Sequence, residues 1–432
     1  MKFSVIPAKP VPVKLVPAKI LSLLLSLAAA LLVVTGCAPE KVEEPFAPSE
    51  SHSSYAEGLK KMNLAETEMG DRWLRQAEEA LERPVRVELP FRERGFFDPA
   101  RPEAWGYRFT VKQGRKVVIQ LSLPDGDELK VFADVFRAEE GGDDEERQVH
   151  HVASYSKDEN EIRFEVIREQ SYILRLQPEL LRGGNFTVSI RHEPLLAFPV
   201  EGAEMADIQS FYGDSRDGGS REHEGVDIFA PRGTPILAVT EATVRSADTR
   251  DLGGKTVLLW DEERQLHYYY AHLDSWKTED GARVEAGDVL GTVGNTGNAK
   301  TTPPHLHFGV YKRWFDALNP WPFLQPSPDA PGEPALAARD LNRWMRTSRA
   351  VVPSGAPGTS SASTASAASG EEVELPPGSP VLAAGSAGDQ VRVILPGGEG
   401  YGFLPARALR PIAASNTQPL SDTPRYLYPQ PD

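Results

Sequence analysis

This 432-residue sequence contains a single cysteine, Cys37, and fewer basic than acidic residues. One cysteine excludes an internal disulfide framework and a metal site built from several thiolates. Lys and Arg number 47 against 62 Asp and Glu, so the formal net charge is −15. A chain this acidic lacks the basic surface of nucleic-acid-binding proteins, and we expect no nucleic-acid partner. Its length is too great for one hydrophobic core and predicts about two to four domains.

The N-terminal segment has the pattern of a secretory signal. A stretch whose only charges are lysines ends at Lys19, and an uncharged run rich in Leu, Ala and Val follows from Ile20 to Gly36. The run is short for a membrane-spanning helix, for which ~20 residues are typical. The segment resembles a bacterial lipoprotein signal, in which Cys37 becomes the lipidated first residue of the mature protein. The alternative is an uncleaved signal anchor in which Cys37 has no role.

This resemblance predicts a cellular location. Residues 1–36 would be the signal peptide, and the Pro-, Glu- and Ser-rich residues 37–54 would form a tether. Ala38, rather than the Asp that retains many lipoproteins at the inner membrane, follows the cysteine. The resemblance therefore implies a periplasmic protein anchored to the outer membrane through Cys37.

The segment that follows the tether predicts a helix and then a small β-sandwich. Apolar residues recur at helical spacing in residues 55–84, and Pro84 ends the pattern. The recurring residues are Met62, Met69, Trp73, Ala77 and Ala80. Residues 85–198 instead show apolar residues at every second position, separated by turn residues, which predicts an accessory β-sandwich domain.

The rest of the chain predicts three further regions. Short strands and Gly-rich turns fill residues 203–324, and residues 325–370 combine a helix at 335–348 with a low-complexity linker. Residues 371–412 resemble a bacterial SH3-like module, and residues 413–432 form a flexible tail. The predicted fold class is mainly β: an antiparallel β-sheet domain preceded by a helix and a β-sandwich, and followed by a small SH3-like barrel.

Histidines and one aspartate supply candidate metal ligands within residues 203–324. His223 and Asp227 are four residues apart in a Gly-rich context that disfavours a helix, so an extended chain would place both on one face. Glu224 would then point to the other face, and we do not assign it as a general base. Gly225 leaves room for another backbone to approach. Imidazole nitrogen and carboxylate oxygen are ligands that zinc favours.

Two further strands add histidines. His305 and His307 lie two residues apart and share a strand face, but their spacing does not decide which of them binds metal. Strict alternation along a third strand would place Tyr268, Tyr270 and His272 together. Tyr270 would either donate a hydrogen bond to a reaction intermediate or pack beside His272.

These motifs, with their flanking sequences, resemble the lysostaphin/LytM-type zinc metallopeptidases, which cut peptide bridges in bacterial cell walls. The resemblance extends from Ile208 to Pro320. Its blocks are His223-Glu-Gly-Val-Asp227, Ala230-Pro-Arg-Gly-Thr-Pro235, Tyr270-Ala-His-Leu273, Gly291-Thr-Val-Gly-Asn-Thr-Gly297 and Pro304-His-Leu-His-Phe308.

The resemblance implies specific roles. His223, Asp227 and His307 would bind one Zn²⁺ per chain, and His272 and His305 would be the unligated catalytic pair that transfers protons. The implied substrate is the peptide cross-links of bacterial peptidoglycan, joined in Gram-negative walls between D-alanine and meso-diaminopimelate. We expect Arg216 to form a structural salt bridge rather than to contact substrate.

Two alternatives to this enzyme remain. One is a non-catalytic LytM-type regulator that activates cell-wall amidases, although such regulators lose ligand or catalytic histidines and all five positions are filled here. The other is a structural envelope lipoprotein whose histidines buffer metal. That reading leaves the Tyr-Ala-His-Leu and Gly-Asn-Thr-Gly blocks unexplained.

Overall fold

The computed structural model describes most of the chain between residues 51 and 412. The described ranges are 51–123, 129–139, 149–156, 161–312, 316–328, 330–357, 374–395 and 400–412. The chain divides into two compact units, Met1–Gly58 and Leu59–Asp432. The predicted signal peptide, the predicted lipidation site Cys37 and the predicted C-terminal tail lie outside the described residues. Among the described residues, no helix has the length and apolar character needed to cross a membrane.

The predicted helix at 55–84 is two helices, α1 (His52–Lys61) and α2 (Glu68–Glu82). Helix α1 already begins at His52, within the predicted tether. Asn63 interrupts the helical path with a φ of 58°, a conformation that ends a helix. The side chain of Thr67 then caps α2 by accepting a hydrogen bond from the Gly70 backbone at 3.1 Å. The buried face of α2 includes Trp73, Ala77 and Ala80, as the helical spacing predicts.

In the described part of this stretch, nine strands follow the helices. They are β1 (Val85–Arg86), β2 (Phe91–Phe97), β3 (Trp105–Val111), β4 (Arg115–Ser122), β5 (Val131–Ala138), β6 (Val149–Ser154), β7 (Glu161–Val166), β8 (Gln170–Pro178) and β9 (Gly184–Pro194). One sheet has the order β1-β3-β8-β5-β6, and a second contains β2-β9-β4-β7. Side chains from both sheets share one hydrophobic core, in which Phe97, Trp105 and Phe186 pack together.

Twelve strands, counted over the residues that the structure describes, form the region that holds the histidine motifs. They are β10 (Ile208–Ser210), β11 (Ser215–Arg216), β12 (Arg221–Glu222), β13 (Val226–Phe229), β14 (Pro235–Leu237), β15 (Ala242–Arg250), β16 (Gly254–Asp261), β17 (Leu266–Trp276), β18 (Arg283–Val284), β19 (Val289–Val293), β20 (His305–Tyr311) and β21 (Ala317–Leu318). The main sheet runs β10-β13-β20-β17-β16-β15-β18, and every pairing in it is antiparallel. The short helix α3 (Trp321–Leu324) ends this region.

The C-terminal strands differ from the prediction. The prediction of a helix at 335–348 is wrong. These residues contain a short 3₁₀ turn and strand β22 (Arg343–Thr347). Four strands follow: β23 (Pro380–Ala387), β24 (Gln390–Ile394), β25 (Tyr401–Pro405) and β26 (Leu409–Pro411). Pairing of β22 with β23 and β26 buries Met345 in a small core with Val381 and Leu409. Packing in that core outweighs the local helical preference of the segment.

The C-terminal strands are also part of the sandwich. Strand β23 pairs with the edge of β2, so that β25-β24-β23 continues the sheet β2-β9-β4-β7. The SH3-like resemblance of residues 371–412 stays a prediction, but these strands do not form a separate domain.

Ion pairs and hydrogen bonds attach the sandwich to the histidine-bearing region. Arg264 lies between β16 and β17 and contacts Glu165 of β7 with two nitrogens, at 2.8 and 2.6 Å. Arg115 of β4 donates to the backbone and side chain of Gln325, just after α3. These contacts fix the two regions to each other within one compact unit.

Candidate metal centre and active-site groove

Two paired strands bring the candidate metal ligands together. Strands β13 and β20 run antiparallel, and Asp227 lies directly opposite His307 in their register. His223 precedes β13 in an irregular segment, so the extended chain predicted for residues 223–227 is a strand only from Val226 onward. A Cβ at Gly225 would lie 2.5 Å from the Phe308 carbonyl oxygen, and only glycine allows β20 to approach this closely.

Three potential ligand atoms converge at this point. Asp227 Oδ1 lies 3.0 Å from His223 Nε2 and 3.0 Å from His307 Nδ1, and the two histidine nitrogens are 2.9 Å apart. In a tetrahedral zinc site with bonds of ~2.0–2.1 Å, ligand atoms lie roughly 3.3 Å apart, so the triangle is only slightly tighter than a zinc ion requires.

The hydrogen bonds around the triangle favour a cation at its centre. His223 Nδ1 lies 2.9 Å from the carbonyl oxygen of Phe211, which can only accept, so the proton of this imidazole is on Nδ1. Its Nε2 therefore presents a lone pair to the other two atoms. When both histidines are neutral, the three atoms share at most one hydrogen, and their remaining lone pairs face one another. This donor set fits zinc.

Arg216 and Ser210 support the triangle from outside. Arg216 Nη2 lies 3.0 Å from Asp227 Oδ2, the carboxylate oxygen that the histidines leave free, and the same nitrogen donates to Ser210 Oγ. The expected structural salt bridge of Arg216 is therefore made with a candidate ligand. Burial raises the pKa of Asp227, but hydrogen bonds with His223 and His307 outweigh burial and hold that pKa well below its ordinary value. The carboxylate is ionised, as metal binding requires.

His272 and His305 lie beside the triangle. Their ring centroids are 5.0 Å apart, and the His272 ring is 6.1 Å from that of His307. His272 Nδ1 lies 2.9 Å from the Thr296 carbonyl oxygen, and His305 Nδ1 lies 2.9 Å from that of Pro303. Because a carbonyl only accepts, each Nδ1 carries the proton and each neutral ring keeps a lone pair on Nε2. Burial, together with the imidazoles of His307 and His305, lowers the pKa of His272 to about 4.

The alternation predicted around His272 is wrong. Tyr268 and Tyr270 point into the core, where the Tyr270 hydroxyl accepts a hydrogen bond from the Val239 backbone at 3.1 Å. His272 instead lines the groove together with Tyr269. The pairing of β17 with β16 shifts by one residue between Lys255 and Val257, and His272 has a φ of 68°. This β-bulge turns His272 onto the opposite face of the sheet and leaves Tyr270 no access to a substrate.

Comparison with known proteins agrees with this geometry. Residues 221–320 match the sequence profile of peptidase family M23. These residues form a peptidase family M23 domain. The predicted resemblance to lysostaphin/LytM-type enzymes is confirmed for this domain.

Relatives of the M23 domain are named as endopeptidases. The L-Ala--D-Glu endopeptidase of Bacillus subtilis (strain 168) is 35% identical over 142 residues, covering 30% of this chain and 43% of that protein. The peptidoglycan DD-endopeptidase ShyC of Vibrio cholerae is 34% identical over 97 residues, covering 21% of this chain and 22% of that protein. The chain thus spans less than half the length of these curated relatives.

Among solved structures, the M23 domain is similar to the catalytic domain of the antimicrobial peptidase lysostaphin from Staphylococcus simulans. That match has 32% sequence identity and a TM-score of 0.25, and it covers 26% of this chain and 87% of the lysostaphin domain.

A groove of about 620 Å³ crosses the M23 domain over the two pairs of histidines. In the part of the chain that the structure describes, its lining comes entirely from the segment between Ser210 and Tyr311, so the sandwich strands do not cover it. Sequence reasoning missed Tyr269 and Tyr311, which line this groove. Glu224 also reaches the groove, with Oε2 3.5 Å from the Tyr311 hydroxyl, although alternation predicts that it points away. The even spacing of Tyr311 from His307 along strand β20 was the available signal.

Proposed function

We propose that the M23 domain is a zinc-dependent endopeptidase that hydrolyses peptide cross-links of bacterial peptidoglycan during cell-wall remodelling. His223, Asp227 and His307 would hold the zinc ion, and His272 and His305 would be the catalytic pair. One observation carries the proposal: an Asp/His/His triangle and two further histidines, each with a lone pair on Nε2, line a single open groove.

Zinc bound by such a triangle supplies Lewis acidity, which activates water and polarises a peptide carbonyl. The chain's own contribution is proton transfer. Either His272 or His305 takes a proton from the attacking water through Nε2, and the imidazolium then gives a proton to the leaving amine. A protonated imidazole also stabilises negative charge that develops on the carbonyl oxygen. The Thr296 and Pro303 carbonyls keep Nδ1 of both rings protonated, so that Nε2 is free for these transfers.

The bond that is cut is a finer part of the proposal. The relatives above are named for different bonds, L-Ala–D-Glu in one and a DD-peptide bond in the other. We propose the cross-link between D-alanine and meso-diaminopimelate, because the lipoprotein-like N-terminus predicts a periplasmic protein. Anchoring to the outer membrane through lipidated Cys37 is part of the same proposal.

The test uses protein that begins after Cys37 and purified sacculi that contain such cross-links. Wild-type protein is expected to convert dimeric muropeptides to monomers, and His305→Ala is expected to abolish the conversion while zinc content stays near one per chain. His150→Ala, which removes an exposed histidine of the sandwich, is the matched control and should behave as wild type. If wild type and His305→Ala give identical muropeptide profiles with zinc bound, the non-catalytic regulator is the better description.

A further inference from the structure

The backbone at His272 adopts a conformation that the rest of the structure must enforce. Its φ of 68° lies in the left-handed region, which non-glycine residues rarely adopt. The bulge that contains this residue is what turns the imidazole into the groove. Contacts that hold the bulge therefore decide whether His272 reaches the reaction site at all.

Two loops hold His272 from either side. The backbone N–H of His272 donates to the Gly253 carbonyl at 2.8 Å, and the Nδ1–H of its ring donates to the Thr296 carbonyl at 2.9 Å. The loops touch each other through Gly254 and Gly297, both with positive φ. A Cβ on either glycine would lie 2.3 Å from the backbone nitrogen of the other, so the loops approach as closely as two backbones can.

The hydroxyl of Thr296 joins these loops to the bulged strand. Thr296 Oγ1 accepts a hydrogen bond from the Lys255 N–H at 2.9 Å and donates one to the Leu273 carbonyl at 2.9 Å. Lys255 is where the pairing of β16 with β17 shifts, and Leu273 directly follows His272. One side chain thus fixes both sides of the bulge, while the carbonyl of the same residue fixes the imidazole.

We infer that Thr296 is a positioning residue that sets the orientation and the tautomer of His272. The Thr296 hydroxyl links Lys255 to Leu273 and so keeps the Thr296 carbonyl next to His272 Nδ1. The proton of the imidazole therefore stays on Nδ1, and the Nε2 lone pair faces the groove. Thr296 itself contacts no reacting atom. The inference rests on the proposed function for its effect on catalysis, but not for its effect on the imidazole.

The experiment compares Thr296→Val, which keeps the shape and removes both hydroxyl hydrogen bonds, with Thr296→Ser, which keeps the hydroxyl. Thr296→Val is expected to lower kcat on a soluble cross-linked muropeptide by about 10- to 100-fold, with KM and zinc content within about 3-fold of wild type. Thr296→Ser should restore kcat to within about 3-fold of wild type. Thr292→Val is the matched control, because it removes a hydroxyl pair between Thr292 on β19 and Ser275 on β17 and leaves the hydrogen bonds of Thr296 and His272 in place.

A spectroscopic measurement separates this inference from the proposed function. The imidazole ¹⁵N signals of His272 should report a proton on Nδ1 in the wild type and in Thr296→Ser, and a mixture of tautomers in Thr296→Val. A wild-type spectrum with the proton on Nε2 would overturn the inference even if no Thr296→Val protein can be isolated. Unchanged spectra and kcat in folded Thr296→Val would also overturn it. A wild-type protein without hydrolase activity, but with the expected spectra, would refute only the proposed function.

Discussion

Two carboxylate–arginine pairs in this molecule show how similar residues are arranged differently in the packed sandwich and beside the groove. In the sandwich, Glu93 and Arg392 are 0% and 1% exposed, and both oxygens of Glu93 accept hydrogen bonds from Arg392 at 2.8 Å. In the M23 domain, Arg216 contacts only Oδ2 of Asp227, and Oδ1 is left to the two histidines. We call the Glu93–Arg392 pair closed, because the arginine occupies both carboxylate oxygens. We call the Asp227–Arg216 pair open, because one carboxylate oxygen does not contact the arginine.

The surroundings of the two arginines reinforce this difference. The guanidinium of Arg392 lies over the rings of Trp105, Tyr401 and Phe403 at 4.2, 4.6 and 4.8 Å, which places it in a fully packed aromatic cage. Arg216 is partly exposed beside the groove. In the sandwich pair both carboxylate oxygens are occupied by the arginine, whereas the pair at the groove leaves one carboxylate oxygen facing two imidazole nitrogens and so provides a place for a cation.

The largest effect is expected from removing the open carboxylate. Asp227→Ala deletes the only anionic ligand atom of the triangle, so zinc content should fall to near zero and activity by more than about 1,000-fold. Elemental analysis and muropeptide digestion measure the two losses. The far-UV circular dichroism spectrum should be unchanged, because β13 remains paired with β20. Stoichiometric zinc in Asp227→Ala would contradict the assignment of this ligand.

Breaking the closed pair should instead destabilise the fold. Glu93→Gln leaves the charge of Arg392 buried and without a compensating anion, which is expected to lower the free energy of unfolding by roughly 3–5 kcal/mol. Urea denaturation followed by tryptophan fluorescence measures this loss, and zinc content below the transition should not change.

The control for this variant is Glu333→Gln, which breaks an exposed ion pair between Glu333 and Arg92. Its effect on stability should be small, because exposed pairs are solvated and screened. Equal stability of Glu93→Gln and wild type would show that the buried pair is dispensable.

The open pair was easier to predict from the sequence than the closed pair. Asp227 and His223 lie four residues apart in the chain, and His305 and His307 two apart, so local spacing made them candidates and the family resemblance then implied their roles. Glu93 and Arg392 are separated by almost the whole folded chain, and no local pattern indicates that β23 pairs with β2. The C-terminal strands were therefore predicted as a separate module, and the strand at 343–347 was missed.

The error at His272 has a different physical origin. Alternation assumes that each residue of a strand has β-region dihedral angles, and a single residue with positive φ reverses the face of everything that follows. No residue of Tyr270-Ala271-His272 favours such a conformation by itself. The bulge exists because Gly253, Thr296 and their loops bind it from outside the strand, and long-range contacts of this kind leave no periodic signal in the sequence.

A smaller effect is expected when the open pair loses its arginine. Arg216→Met leaves all three ligand atoms in place but frees Oδ2 of Asp227, so zinc affinity should fall by about 10- to 100-fold. At saturating zinc, kcat should remain within a few-fold of wild type. Competition with a chromophoric chelator measures the affinity. Arg232→Met removes an arginine that pairs with Asp274 and does not line the groove, and it should leave the zinc affinity unchanged. An unaltered affinity in Arg216→Met would mean that the salt bridge does not orient the ligand.

The smallest effect is expected when both members of the closed pair are replaced together. Glu93→Leu combined with Arg392→Met fills the site with apolar side chains, and its stability should lie within about 1 kcal/mol of wild type, because well-packed apolar residues commonly substitute for a buried ion pair. A double variant as unstable as Glu93→Gln would show that the aromatic cage requires the cation. The same exchange at Asp227 and Arg216 cannot be neutral, because it removes an oxygen that the triangle needs for zinc. The contrast between the two double variants thus separates charges that this fold requires only as a matched pair from charges that prepare its chemistry.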